Sequence, residues 1–343
     1  MPVTASNHVR PCIRLALFAS LLCPVLTFKI CAFNVRSFGD SKSSDAEVMK
    51  TLVRTVSRCD IALLQEVKDR KGKAVPLLLE ALNRYNTHYT YDYVASERLG
   101  RTSYQEQYVF MYRTDTASVK NQYQYPDTQE GDEDAFAREP FVVWFKAPRT
   151  VLGDFVLIPQ HTSPSNATKE IDELYDVFVD VKRRWRVKNV MFLGDFNAAC
   201  GYVAKKNRKL IRLYTDPSFI WLIGDDVDTT VKESTDCAYD RIVIHGEDFA
   251  RGIVPYSAGA FDFAKEYGLT EEQAEAVSDH IPVEVRLRVV RGAGRRRQSS
   301  SLLRAPAAFA SRLLRGLIQT FSNSTDPTAA TTESHSHNYT ASA

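Results

Sequence analysis

The chain has 343 residues, 44% of them apolar, enough to bury one large core with extensions at either end. Its net charge of +2 divides unevenly, with 37 basic and 40 acidic groups through residue 290 but 7 and 2 beyond it. That excludes a polycationic body: any hold on a polyanion there must come from local patches or bound cations, with the C-terminal stretch adding its own electrostatic term.

The first residues read as a secretory signal, because Arg10 and Arg14 precede an apolar run from Leu15 to Leu26. The run is short for a membrane span and is broken by Pro24; a retained signal anchor is the competing reading. Cleavage near Thr27 predicts a segment 1–27 lost on secretion through the endoplasmic reticulum. A body over 28–290 follows, then a basic amphipathic tail over 291–321 and a Ser/Thr-rich terminus over 322–343. Loss of the signal removes Cys12 and Cys23 and leaves Cys31, Cys59, Cys200 and Cys237, an even set suited to an oxidising compartment. Cys200 and Cys237 both flank candidate site segments and are expected to pair. Cys31 and Cys59 each begin an apolar run, which suits either a disulfide or two buried thiols.

Along the body, residues 29–36 and 60–67 read as strands around a helix from Asp45 to Ser57, with Asp45 as N-cap and Val48, Leu52, Val53 and Val56 on one face. Further strands are predicted at Tyr89–Ala95, Gln107–Tyr112, Phe141–Lys146, Phe155–Pro159, Val190–Leu193, Arg241–Ile244 and in the run PVEVRLRVV from Pro282. A second helix spans about Lys169–Trp185, where Ile171, Leu174, Tyr175, Phe178, Val181 and Trp185 recur at helical spacing. Many strands with few helices predict a mixed α/β domain of packed sheets. Past Val290, the linker RGAGRRRQSSS leads into a segment from Leu302 to Phe321 with Phe309, Leu313, Leu314, Leu317, Ile318 and Phe321 at helical spacing and Arg312 and Arg315 flanking them.

Four fragments carry chemistry: FNVR at 33–36, LLQEV at 63–67, GDFNA at 194–198 and SDHIPVE at 278–284. Each sets acids, amides or a histidine at or near the end of an apolar run, where a buried strand releases its side chains into a cleft. Phosphodiester hydrolysis needs charge relief on the phosphate, an activated water and a proton for the leaving oxygen. Glu66, Asp195 and Asp279, with the amides Asn34 and Asn197, form a hard oxygen set suited to Mg²⁺ or Mn²⁺. His280 is the candidate general base, oriented by Asp240; His161 is the candidate general acid, kept protonated by Glu106.

In these fragments the chain resembles the deoxyribonuclease I family, within the endonuclease/exonuclease/phosphatase superfamily. The resemblance runs from Lys29 to Leu287 through FNVRSFGD, LLQEVKD, LGRTSYQEQYVFMYR, AREPFVVWF, GDFNAAC, CAYDRIV and SDHIPVE. KEIDELYDV, TDPSFIWLIGD, DTTVKEST and LTEEQA place it nearest the gamma branch. The resemblance implies a four-layered sandwich of two packed mixed sheets flanked by helices, and divalent-dependent endonucleolytic cleavage of double-stranded DNA or chromatin to 5′-phosphate ends. It implies DNA contacts from Arg36, Lys68, Arg101, Tyr104 and Arg138, with Arg138 on phosphate and Lys68 and Tyr104 in the minor groove. Structural Ca²⁺ is implied at Asp228 and Thr230, and at Asp127, Asp134, Phe136 and Glu139.

Departures from the family pattern are Lys68 where deoxyribonuclease I has Arg, and Thr102 where it has Asn. Ala95 and Phe141 stand at the positions that dock actin, and a bulky Phe141 argues against actin binding. A monomer is expected, and the tail suits membrane or lipid contact. Asn166, Asn323 and Asn338 begin glycosylation sequons. Two readings compete: a lipid or inositol phosphate phosphodiesterase, which would not need the DNA-facing set, and a silent DNA- or protein-binding module, which would not need the full acid–base set.

Overall fold

A computed structural model describes residues 27–290, residue 132 apart. The leader, the tail, and the sequons at Asn323 and Asn338 lie outside the described residues; Thr27 opens the first strand. Among these residues twelve strands form two six-stranded sheets, in the orders β11-β12-β1-β2-β4-β3 and β5-β6-β7-β8-β10-β9, where β3 is Tyr91–Ala95, β5 Ser118–Gln124, β9 Phe219–Trp221 and β11 Gly259–Ala260. In the first sheet, β1 (Thr27–Phe38) runs parallel to β2 (Ile61–Val67) and antiparallel to β12 (Val283–Arg288), while β2 is antiparallel to β4 (Gln107–Arg113). The second sheet repeats this plan. There β7 (Gly153–Pro159) is parallel to β8 (Val190–Asp195), and β6 (Phe141–Ala147) and β10 (Asp240–His245) flank them antiparallel.

The sheets stack because their central strands are apolar on both faces. In β1, Phe28, Ile30 and Ala32 enter the core between the sheets, and Cys31, Phe33 and Val35 enter the layer outside. In β8, Met191 and Leu193 point inward while Val190 and Phe192 point outward. The outer layer of the first sheet is closed by helices Ala46–Val56, Ala74–Tyr85, Phe263–Tyr267 and Glu271–Val277; that of the second is closed by helix Ala167–Trp185. The result is the four-layered α/β sandwich that the sequence implies.

Local signals hold. Asp45 caps its helix, its Oδ1 accepting from the N–H of Glu47 at 2.9 Å and Val48 at 3.1 Å. Thr270 and Gln273 form a reciprocal capping box ahead of the SDH segment. Cys200 and Cys237 are bonded, as expected, and Cys31 and Cys59 are bonded too, with Cα atoms 6.1 Å apart. Cys31 faces outward from β1 onto the start of β2, so the two apolar runs they open lie side by side. Sequence patterning misses β5 (Ser118–Gln124), β9 (Phe219–Trp221), β11 (Gly259–Ala260) and helix Ala74–Tyr85. The polar strand β5 lies at a sheet edge, and β9 and β11 are too short to show a period.

Candidate active site

The topology brings the four fragments to one rim. Parallel strands contribute their C-terminal ends: Asn34 from β1, Gln65 and Glu66 from β2, His161 two residues past β7, and Asp195 at the end of β8. Their antiparallel neighbours contribute their N-terminal ends: Glu106 just before β4, Asp240 opening β10, and His280 three residues before β12. Asp240 and Asp195 are direct cross-strand partners.

The first sheet is deformed where it supplies ligands. The β1–β2 register shifts between Asn34 and Phe38, and the β2–β4 register between Leu64 and Val67. Arg36, Ser37 and Glu66 adopt positive φ (39°, 59° and 54°), as does Asn197 in the second sheet's loop at 48°. Bulges and left-handed residues of this kind re-aim side chains at a cost in backbone strain. Here they turn Asn34 and Glu66 toward each other, and the Asn34 Nδ2 donates to Glu66 Oε1 and to Asp195 Oδ2, each at 3.2 Å.

Two histidines approach the same oxygen of Asp195. His161 sets Nδ1 2.5 Å from Glu106 Oε1 and Nε2 3.5 Å from Asp195 Oδ2. His280 sets Nδ1 2.7 Å from Asp240 Oδ2 and Nε2 3.6 Å from the same Asp195 oxygen. Burial lowers both imidazoles, but their carboxylates outweigh it: Glu106 raises His161, and Asp240 and Asp195 lift His280 to about 10. Burial would also raise all three carboxyls. The two imidazoles nevertheless hold Asp195 low, and His161 and Arg138 hold Glu106 low, whereas Asp240 stays raised.

Several further residues build this arrangement without showing a motif. Gln65, fully buried, bridges the sheets: its Nε2 donates to the Gln160 carbonyl at 2.7 Å and its Oε1 accepts from Asp195 N–H at 2.9 Å. Gly194, at φ +127°, packs against both, and a Cβ there would lie 2.6 Å from the Gln160 carbonyl oxygen. This is why the GDFN turn needs its glycine. The Ser278 hydroxyl donates to the Asn34 carbonyl at 2.6 Å and accepts from His280 N–H at 3.0 Å. Lys42 donates to the carbonyls of Val35 (3.0 Å) and Val277 (2.7 Å), and burial pushes it down to about 8. Behind His161, the carboxylate of Glu170 accepts from Gln160 Nε2 at 3.0 Å and Ser163 N–H at 3.1 Å, and burial raises it to about 7. A polar residue inside an apolar strand was the one available signal for Gln65; Glu170 sits on the buried face of a helix that apolar spacing alone defined.

The rim offers a candidate cation site, which shares Asp195 with the oxygen set expected from the sequence. Asp195, Asp240 and His280 offer ligand atoms within 4.8 Å of one another. Asp279 presents a buried Oδ1 without a hydrogen-bond partner, and Glu66 and Asn34 stand at the same rim. Asn197, which donates from Nδ2 to the Thr162 carbonyl at 3.1 Å, is in place beside Asp195, whose Oδ1 accepts its N–H at 3.0 Å.

Around the rim, Lys68 lies 3.5 Å over the Tyr104 ring, and the Tyr104 hydroxyl donates to Glu66 Oε2 at 3.1 Å. Arg36 lies 3.7 Å from Asp279. Arg138 and Arg101 are less free than the sequence suggests. Arg138, 12% exposed, bonds the carbonyls of His161 (3.0 Å) and Thr162 (3.2 Å) and lies 3.2 Å from Glu106. Arg101, half exposed, gives one guanidinium nitrogen to the carbonyls of Asp134 and Phe136.

That contact crosses one of the two loops expected to hold calcium, where Asp127 Oδ2 accepts from Phe136 N–H at 2.9 Å and the Glu139 carbonyl accepts from Gln124 at 2.6 Å. In the other, Asp228 Oδ1 takes the Thr230 hydroxyl at 2.6 Å and its N–H at 3.0 Å. Asn166 precedes helix Ala167–Trp185, its amide 3.4 Å from the Ala135 carbonyl. Phe141 is buried between the sheets, so its bulk is not at the surface and gives the expectation about actin no support. No helix among the described residues is long and apolar enough to cross a membrane.

The comparisons agree with this architecture. The endonuclease/exonuclease/phosphatase family matches residues 31–280. The fold is similar to a protein of that family from Leptotrichia buccalis, with a TM-score of 0.54 at 16% identity over 76% of this chain and 99% of that one. The chain belongs to the endonuclease/exonuclease/phosphatase family. Within it, the proteins it is most similar to include deoxyribonucleases. It is 54% identical to deoxyribonuclease gamma of Homo sapiens over 278 residues, covering 81% of this chain and 91% of that protein. It is 50% identical to deoxyribonuclease-1 of Mus musculus over 265 residues, covering 77% and 93%.

Proposed function

We propose that this protein is a secreted, divalent-cation-dependent endonuclease that hydrolyses DNA phosphodiester bonds and leaves 5′-phosphate ends. The observation that carries the reading is the convergence of two carboxylate-backed imidazoles on one oxygen of Asp195, with Glu66, Asp279, Asn34 and Asn197 around it. Two imidazoles flanking one anionic centre suit a displacement in which one face takes a proton from water and the other gives one to the leaving oxygen. His280, with Asp240 fixing its Nδ1, accepts the water proton at Nε2. His161, held as a cation by Glu106, donates from Nε2 to the departing 3′ oxygen.

Glu66, Asp195, Asp279, Asn34 and Asn197 would hold Mg²⁺ or Mn²⁺. When bound, such an ion relieves charge on the phosphate and offsets the carboxylates that keep His280 protonated. Lys68 and Tyr104, stacked at the rim, suit entry into a groove by shape, and Arg36 suits the backbone beside it. Arg138 anchors the His161 segment and leaves part of its guanidinium for phosphate. Asp127, Asp134, Phe136 and Glu139, and separately Asp228 and Thr230, would serve calcium as loop-ordering sites, and the oxygen-rich loops support that role. The two disulfides support secretion, and the basic composition of the tail supports delivery to chromatin or lipid-coated DNA. Plasmid cleavage by the secreted protein tests the core of this. Mg²⁺ and Ca²⁺ should support nicking that a chelator abolishes and that His280→Ala lacks; firm binding without cleavage in either protein would overturn it.

A further inference from the structure

The rim does not account for the basic segment that leaves it. We propose that the 3₁₀ segment Lys205–Leu210 is a second backbone-binding surface for duplex DNA, gripping phosphates away from the one being cleaved; it rests on the nuclease reading above.

The argument begins with which charges are already neutralised. Arg208 is held by both oxygens of Asp225, at 2.6 and 2.8 Å. Arg212 is held by Asp172 at 2.9 Å and Asp176 at 2.6 Å, and the buried Arg241 by Asp225 at 2.8 Å. Asp172, Asp176 and Asp225 are thus taken by arginines, and the exposed Asp236, which lines the same hollow as Lys205, is the acid left beside the lysines. Lys205, Lys206 and Lys209 are exposed and pair with no carboxylate among the described residues, so the segment shows solvent a net positive charge. A strip like this in a body of slightly negative balance is where counterions concentrate.

Its position ties it to the site. From Asn197 the chain turns through Tyr202, whose exposed ring lies 5.3 Å from that of Tyr239, which in turn lies 6.3 Å from the His280 imidazole. The lysines begin three residues past Tyr202. At about 2 Å of rise per residue, a 3₁₀ segment of this length tracks on the order of three to four nucleotides of one strand. Lysine is a compact charge on a flexible stem, suited to following a backbone without reading bases.

The test compares the parent with the triple variant Lys205→Gln/Lys206→Gln/Lys209→Gln and its Arg counterpart, each in a His280→Ala background for binding and in the active background for turnover. Affinity for a duplex of about three turns (~30 bp) is measured against salt, beside a duplex of about one turn and heparin. Each phosphate contact contributes a slope of about 0.9, so the Gln variant should lose roughly 2 to 3 from the log–log salt slope on the long duplex, and roughly tenfold or more in affinity. The Arg variant should keep both, the short duplex should change less, and kcat at saturating plasmid should hold. Unchanged slope and affinity would mean a merely solvated face and overturn the proposal, as would equal losses on heparin and both duplexes. If the parent binds DNA with the expected slope change yet never cleaves, the nuclease reading falls and the surface stands.

Discussion

The two histidine–carboxylate pairs are built alike and supported differently. Each imidazole rests its Nδ1 on a buried carboxylate and turns its Nε2 toward the same oxygen of Asp195. Glu106, however, faces a second cation: Arg138 lies 3.2 Å away, and with His161 it keeps this carboxyl ionised despite burial. Asp240 has no guanidinium behind it; its N–H donates to the Thr229 hydroxyl at 3.1 Å, and its own acidity is suppressed by burial. A carboxylate fixed as an anion by two cations pins a proton on its histidine, which suits an acid. His280, lifted to about 10 by Asp240 and Asp195, lacks such a second cation behind its carboxylate, and a cation bound at those carboxylates would free its Nε2 to act as a base.

The comparison breaks most sharply at the histidines. His280→Ala and His161→Ala should each lower kcat by roughly 10³-fold or more, with single-turnover cleavage of a labelled duplex as the measure. The orienting carboxylates should then differ. Asp240→Asn leaves His280 with the wrong Nδ1 partner and no anion to stabilise it, and should cost on the order of 10²- to 10⁴-fold. Glu106→Gln leaves Arg138 buried beside His161, two cations without their carboxylate, and should add a loss of thermal stability. Equal stability in the two variants would mean that Arg138 does not distinguish the pairs.

Much of this was legible in the sequence because the chemistry sits where apolar runs stop. Asn34, Glu66, Asp195 and His280 each lie at or near the end of a strand that could be read from its apolar run, and the order of the fragments gave their grouping. Packed mixed sheets followed from many strands with few helices, the four layers from the family resemblance, and the central strands declared themselves by being apolar on both faces. What stayed hidden depends on residues far apart in sequence. Gln65 shows its role only once Gln160 and Asp195 are stacked on it from the other sheet, and Ser278 only once β1 lies alongside. Nothing local shows that Arg138 and Arg101 also give part of their guanidinium groups to the His161 segment and to the Asp134 loop.

Arg138 tests the asymmetry with a milder change. Arg138→Lys keeps a charge near Glu106 but cannot hold the His161 and Thr162 carbonyls in the same planar fork. We expect kcat to fall about tenfold to a hundredfold, with little change in KM, and the activity of the His161→Ala protein to respond far less to the same substitution. Additive losses in that double-mutant cycle would place Arg138's effect outside the His161 pair.

The smallest effect on turnover should come from Glu170, which supports the same pair from behind through Gln160 and Ser163. Its folded pKa is raised from 4.5 to about 7, so the native state binds this proton more tightly than the unfolded chain does. Stability must therefore be greatest at low pH from this group, fall as pH climbs from the unfolded value toward the folded one, and level off above it. The shift corresponds to at most about 3 kcal/mol. Glu170→Gln has nothing to titrate, so urea unfolding across that window should show a shallower pH dependence than the parent, with turnover reduced less than about tenfold. Superimposable pH profiles would mean that the carboxyl ionises normally, and that the donors of Gln160 and Ser163 stabilise its anion enough to cancel the burial. In that event the His161 pair would have charge on both sides of it, Arg138 in front and an ionised Glu170 behind, and its contrast with the Asp240 pair would widen further.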